Sequence, residues 1–185
     1  MTRIFGFTAL FALVFVAATM LLGLSLGDVR DPADRPTQQW ATVHRLSGLA
    51  ASLCVLLVNA IVVTYFIGTS RWCREVVDTY RLDPQMAAAS NRLKRRAFPN
   101  ALVSMLVAVG IVASGGAADP AAALRLAPVG GLSWANWHLL VALAGMTAIA
   151  WTFFVEWTTI QENHQSIERI LAAVKQVRQE RGLEV

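Results

Sequence analysis

The sequence predicts an all-α integral membrane protein: four transmembrane helices as two antiparallel hairpins, with cytoplasmic helical extensions. Three observations point there. Of 185 residues, 56% are hydrophobic and only 15% charged, against roughly 25% charged in a soluble domain. The apolar residues gather into four long runs. Lysine and arginine concentrate in one interhelical loop and in the C-terminal tail.

A helix needs about 20 apolar residues to cross the hydrocarbon, with a range of about 17–25. The first run, residues 4–26, meets this. It exceeds the roughly 7–15 residues of a signal-peptide core, and Leu24-Ser25-Leu26 is a poor cleavage site, so it reads as a retained helix. The second run covers about 41–67. The third covers about 101–117, with Pro99 marking its start, and the fourth about 137–160. Helices follow because a lone strand leaves backbone groups unpaired in lipid, and the runs lack the alternation of barrel strands.

The loop at 69–98 keeps helical character to Tyr80, breaks at Asp83-Pro84, and reads as a second helix that ends at Pro99. It belongs with the spans to one unit, residues 1–160. The tail, 161–185, reads as an amphipathic cytoplasmic helix with Ile167, Ile170, Leu171, Val174 and Val177 at helical spacing. Asp31-Pro32, Arg35-Pro36, Asp119-Pro120 and Pro128 with Gly130-Gly131 punctuate the other two loops.

Arg71, Arg74, Arg81, Arg92, Lys94, Arg95 and Arg96 fall between spans two and three. The loop at 27–39 holds only Arg30 and Arg35, and that at 118–133 only Arg125. Basic residues accumulate on the cytoplasmic side. The expected topology is therefore multi-pass in the inner membrane of a bacterium, with both termini cytoplasmic. The sequence pI near 9.7 reports orientation beside the lipid bilayer and carries no nucleic-acid signal. Cys54 falls inside a span and Cys73 just past its inner end, in a reducing compartment where a disulfide is not expected.

The pattern W-A-x-x-H-x-L occurs twice, at Trp40 to Leu46 and at Trp134 to Leu140. Each copy opens a span, which puts His44 and His138 at matching depth near the outer face. An ionisable side chain in a span costs free energy and usually has a role. Two such histidines suit the iron of one b-type haem. Small residues follow each histidine on its own helical face, Gly48 and Ala51 in one helix, Ala142 and Gly145 in the other. A flat macrocycle between helices two and four needs such faces. Arg45 is placed to pair with a propionate, and Trp40, Trp134 and Trp137 to flank the pocket. Backbone carbonyls, Thr42, Ser104 and Ser114 are candidates to orient the rings. The alternatives are an interfacial aromatic belt with ordinary small-residue packing, or a copper or quinone site.

Asn59 is expected to hydrogen-bond to a neighbouring helix. Glu156 is expected to snorkel to the interface or pair with Arg71 or Arg74, with a proton-path or quinone-site role as the alternative. His164, near Glu162 and Glu168, reads as a solvated face.

His44-Arg45-Leu46-Ser47-Gly48 resembles the His-Arg-x-[Ser/Thr]-Gly segment of succinate dehydrogenase cytochrome b membrane-anchor subunits. In that family the segment opens the first of three spans, on the inner side, near the haem propionates and the quinone site. The resemblance covers five residues and implies haem chemistry, a quinone, and Arg45 as the propionate or quinone contact. The resulting expectation is a cytochrome b-like electron-transfer subunit with one haem, joined to other membrane redox subunits or to itself as a homo-oligomer. It reads as such a subunit rather than as a stand-alone enzyme. A non-catalytic scaffold docking a partner through its basic cytoplasmic helices is the alternative. A small channel or transporter fits less well, because Asn59, Ser104 and Ser114 are too few polar groups for a pore.

Overall fold

The computed structural model describes residues 1–31, 33–122 and 126–182. The turn at Asp31-Pro32, Arg125 of the third loop and the last three residues of the expected tail helix lie in part or whole outside the described residues. Four helices make the fold: α1 (Thr2–Leu24), α2 (Arg35–Tyr80), α3 (Pro84–Ala118) and α4 (Trp134–Glu180). Each holds a stretch long and apolar enough to cross a membrane. Large apolar side chains such as Phe7 (76% exposed), Leu57 and Leu106 point outward from these stretches. A water-soluble surface does not carry so much apolar area, and the chain is a multi-pass membrane protein by this measure.

Helix starts follow local chemistry. Asp34 caps α2, accepting from the Thr37 backbone N–H at 3.2 Å and its hydroxyl at 2.6 Å. These bonds hold the Asp34 carboxyl below the ordinary aspartate range. Asp83 caps α3 through Gln85 N–H at 2.9 Å, with Pro84 as the first helical residue. Ser133 caps α4 through Asn136 N–H at 3.3 Å. α2 and α4 have 46 and 47 residues, about twice the length that crosses the hydrocarbon. The expected extensions are thus continuous with their spans.

One expectation is corrected at Pro99. α3 runs unbroken from Pro84 to Ala118 with Pro99 inside it, so residues 85–98 are not a separate helix. Proline removes the N–H that would reach the carbonyl of residue 95. The next carbonyl, of Arg96, takes the Asn100 side-chain amide at 2.8 Å. Ala97 and Ala101 on either side are fully buried, so packing against the bundle holds both halves in line.

α1 packs on α2 and α4, and so does α3, while α1 and α3 do not touch and α2 and α4 approach only locally. The helices therefore form a square with α2 and α4 on one diagonal. The core is built from inward stripes at three- and four-residue steps: Ala51, Val55, Val58, Val62 and Phe66 on α2, Gly145, Ile149, Phe153 and Ile160 on α4. Phe5 of α1 meets Phe153 edge to face with ring centres 5.9 Å apart. Beyond the spans, Cys73, Val77 and Ile170 form a second cluster among α2, α3 and α4. Burial pushes the Cys73 thiol pKa up, and both cysteines are free.

Polar side chains stitch the spans together. Asn59 donates to Ser104 Oγ at 3.1 Å, the expected cross-helix bond. Ser52 donates to the Ala108 carbonyl at 3.1 Å. Asn163 joins three elements, donating to Tyr65 and Thr69 at 3.0 and 3.1 Å and accepting from Ser90 at 2.9 Å. His164 is exposed beside Glu168, as expected.

Glu156 overturns its expectation. It is fully buried, and neither carboxyl oxygen has a partner among the described residues. Position 156 lies on the inward stripe of α4 with Ile149, Thr152 and Asn163, so the side chain enters the core instead of reaching the headgroups. Arg71 is bound to Glu75 of its own helix at 2.8 Å. A buried polar group left unpaired costs about 1–3 kcal/mol. Glu156→Leu is therefore expected to stabilise the bundle by that order, read as a higher midpoint of thermal unfolding in detergent. A lower midpoint would show that the carboxyl makes a contact worth keeping.

Candidate functional site

His44 and His138 meet across the α2–α4 diagonal. Their ring centres lie 6.3 Å apart with planes inclined by 71°. Both are half-buried at the end of the bundle remote from the arginine-rich loop. The structure thus brings together the two histidines that the repeated motif singled out.

The hydrogen bonds fix which nitrogen of each ring is committed. His44 Nδ1 lies 3.1 Å from the Thr19 carbonyl of α1. A carbonyl only accepts, so Nδ1 carries the proton. His138 Nδ1 lies 3.0 Å from Ser114 Oγ of α3. That hydroxyl spends its own proton on the Ile111 carbonyl at 2.8 Å, so it too accepts from Nδ1–H. In their neutral forms both imidazoles are Nδ1–H tautomers, and each Nε2 keeps a lone pair with no hydrogen bond among the described residues.

Each ring also rests on a glycine of the preceding helix. A Cβ built on Gly23 of α1 would lie 2.6 Å from His44 Cε1, and one on Gly115 of α3 would lie 3.1 Å from His138 Cε1. The two halves of the chain therefore repeat one device: a polar acceptor and a glycine on one helix, a histidine on the next. The sequence reading missed Gly23, Gly115 and Thr19. Their only signal was a glycine near the loop end of the first and third spans.

The remaining predicted residues are placed as follows. Gly48 and Ala51 continue the His44 face, and Gly48 looks toward Thr19, where a Cβ would meet Cγ2 at 3.6 Å. Ala142 is half-buried one turn below His138. Gly145 is filled by α3, since a Cβ there would lie 2.7 Å from Ile111 Cδ1. Arg45 pairs through Nε with Asp119 at the end of α3, 3.3 Å away. Trp134 and Trp137 donate from Nε1 to the carbonyls of Ala127 and Val129, both at 3.0 Å. They pin the loop whose tight turn is made by Gly130 and Gly131, both at positive φ. Trp40 is exposed on the rim of a cleft of about 180 Å³ beside Leu22 and Thr37. Thr42 bonds within its own helix and Ser104 serves Asn59, so of the candidate side-chain orienters only Ser114 touches a histidine.

Chemically, each imidazole keeps one uncommitted lone pair, the form in which histidine binds a metal. Metal–imidazole bonds of about 2.0 Å on either side set ring centres at a separation of this order. No group of three or more histidine, cysteine or acidic side chains gathers among the described residues. No known protein family, curated protein or solved structure matches the chain.

Gly23→Ala is expected to displace His44 and to destabilise the fold by about 1–3 kcal/mol, the usual range for overpacking. Gly110→Ala, with open space around its Cβ, is expected to be neutral or slightly stabilising. Chemical denaturation of the two variants side by side checks the contrast, and equal effects would remove the claim that His44 seats on Gly23.

Proposed function

We propose that the chain is a cytochrome b-like electron-transfer subunit that binds one b-type haem through Nε2 of His44 and Nε2 of His138. The observation that carries this is the facing pair of imidazoles, 6.3 Å between centres, each with Nδ1–H already donated. A haem would need only these two side chains as protein donors to its iron, which suits a pair with no third histidine, cysteine or acidic side chain grouped beside it among the described residues. A closed zinc site would call for four protein ligands.

The surrounding residues have definite tasks in this reading. The Thr19 carbonyl and the Ser114 hydroxyl hold the tautomer and the ring direction and raise ligand basicity. Gly23 and Gly115 let the rings lie close to α1 and α3. Gly48, Ala51 and Ala142 are the small residues that would border a macrocycle on the histidine faces of α2 and α4, whereas Gly145 serves mainly to seat α3. Arg45, paired with Asp119 in the structure, would hold a propionate by exchanging that partner. When bound, the haem supplies one-electron redox chemistry.

The arginine-rich loop fixes orientation in this account. The pairs α1–α2 and α3–α4 act as antiparallel hairpins, both termini face the cytoplasm of a bacterium, and the histidines sit near the outer face of its inner membrane. With one such histidine pair near one face, the chain would serve electron transfer between a quinol and a partner redox subunit at that face, and would not by itself carry electrons across the bilayer.

The test is a reduced-minus-oxidised visible spectrum of the detergent-purified protein with haem quantified. The expected result is a sharp b-type α-band, one haem per chain, lost in His44→Ala and in His138→Ala. A colourless protein after expression with haem supplied would sink the proposal.

A further inference from the structure

At the opposite end of the bundle, α2 and α3 part to leave a cleft of about 510 Å³. Arg74 enters it from α2, and Lys94 and Arg95 from α3, with Asn91 between them and Ala87 and Ala88 keeping one wall low. No carboxylate lines it. Of the nearby acids, Glu75 is bound by Arg71 and Glu162 by Arg96 at 3.2 Å, while Asp78, one turn along α2 from Arg74, is exposed and does not line the cleft. None of the three cleft cations has an ion pair among the described residues. Arg74 and Arg95 are exposed and Lys94 is half-buried.

Concentrating three like charges around one hollow is unfavourable unless an anion shares it. Depth limits which anion is present there. Ser70, also lining the cleft, stands three residues past Ile67, the outward-facing end of the α2 span. Arg74 stands seven residues past Ile67, and Arg95 six residues before the third apolar run begins at about 101. The cleft therefore begins one turn past the α2 span, and its cations stand about two turns, roughly 10 Å, beyond the hydrocarbon, where their long side chains reach back toward the headgroups. Ordinary bias of basic residues toward one face would scatter them over the surface. Here they converge on a concave site with an amide and a buried serine.

We propose that this cleft binds the headgroup phosphate of an anionic phospholipid, one whose phosphate carries no compensating choline or amine cation. Basic pockets between helices at this level suit such headgroups. The phosphate oxygens accept from the Arg74 and Arg95 guanidinium groups, the Lys94 ammonium supplies a third charge, and the acyl chains run along the outer faces of α2 and α3.

The test uses the full chain in neutral detergent at low ionic strength, titrated with phosphatidylglycerol, phosphatidylcholine or inorganic phosphate, with thermal stabilisation as the readout. Phosphatidylglycerol is expected to half-saturate at a concentration about tenfold or more below phosphatidylcholine, because each basic residue contributes to headgroup attraction. Arg74→Gln with Lys94→Gln and Arg95→Gln is expected to reduce that preference to about twofold or less. The equal charge change Arg81→Gln with Arg92→Gln and Lys175→Gln, outside the cleft, is expected to keep it. Arg95→Gln alone, with a loss of about threefold, serves if the triple variant does not fold. No preference in the native protein, or equal loss in both triple variants, overturns the site. Stabilisation by inorganic phosphate alone, abolished by the cleft variant, overturns the lipid as its source in favour of a soluble phosphate.

Discussion

The arrangement at the loop-rich end depends on two hydrogen bonds that run sideways between helices. The Thr19 carbonyl draws the Nδ1 proton of His44, and Ser114 draws that of His138. Without them the rings would be free to flip tautomer or rotate. With them, each Nε2 keeps its lone pair, beside Gly23 of α1 in one ring and Gly115 of α3 in the other, a demanding thing to leave in an apolar setting. The square packing makes this possible. α2 and α4 carry the histidines on a diagonal, while α1 and α3 stand between them and supply acceptors and glycine seats.

The same logic of internal satisfaction organises the rest of the spans. In lipid there is no water to rescue a buried polar group. Ser52, Asn59, Ser90 and Asn163 all find partners on neighbouring helices. Even Pro99 sits in an intact helix, with Asn100 covering the neighbouring carbonyl. Against this background the departures are Thr19 Oγ1 and Asn59 Oδ1, each buried without a partner, and above all Glu156, buried with two unpaired oxygens. Departures from local consistency concentrate at functional or strained positions.

Much of this was legible in the sequence. Four apolar runs gave four helices, and the repeated W-A-x-x-H-x-L gave two histidines that do meet. Those signals are periodic and local, so they survive in one dimension. What was not legible depends on pairings between distant segments. Nothing in the local pattern says that Gly23 must make way for His44, or that Arg45 will find Asp119. The tryptophans of the motif looked like pocket walls, yet two of them hold a glycine turn through their indole N–H groups. Pro99 misled because proline's local preference was outweighed by the burial of Ala97 and Ala101 on the same helix.

The central claim is that one metal is held between His44 and His138 from both sides at once. Electron paramagnetic resonance of the oxidised protein tests it most directly, because the ferric signal reports axial ligation. The account predicts a low-spin ferric signal of the bis-imidazole kind in the native chain, replaced by a high-spin signal or lost when either histidine becomes alanine. A high-spin signal in the native chain, or a low-spin signal unchanged in both single variants, would contradict it.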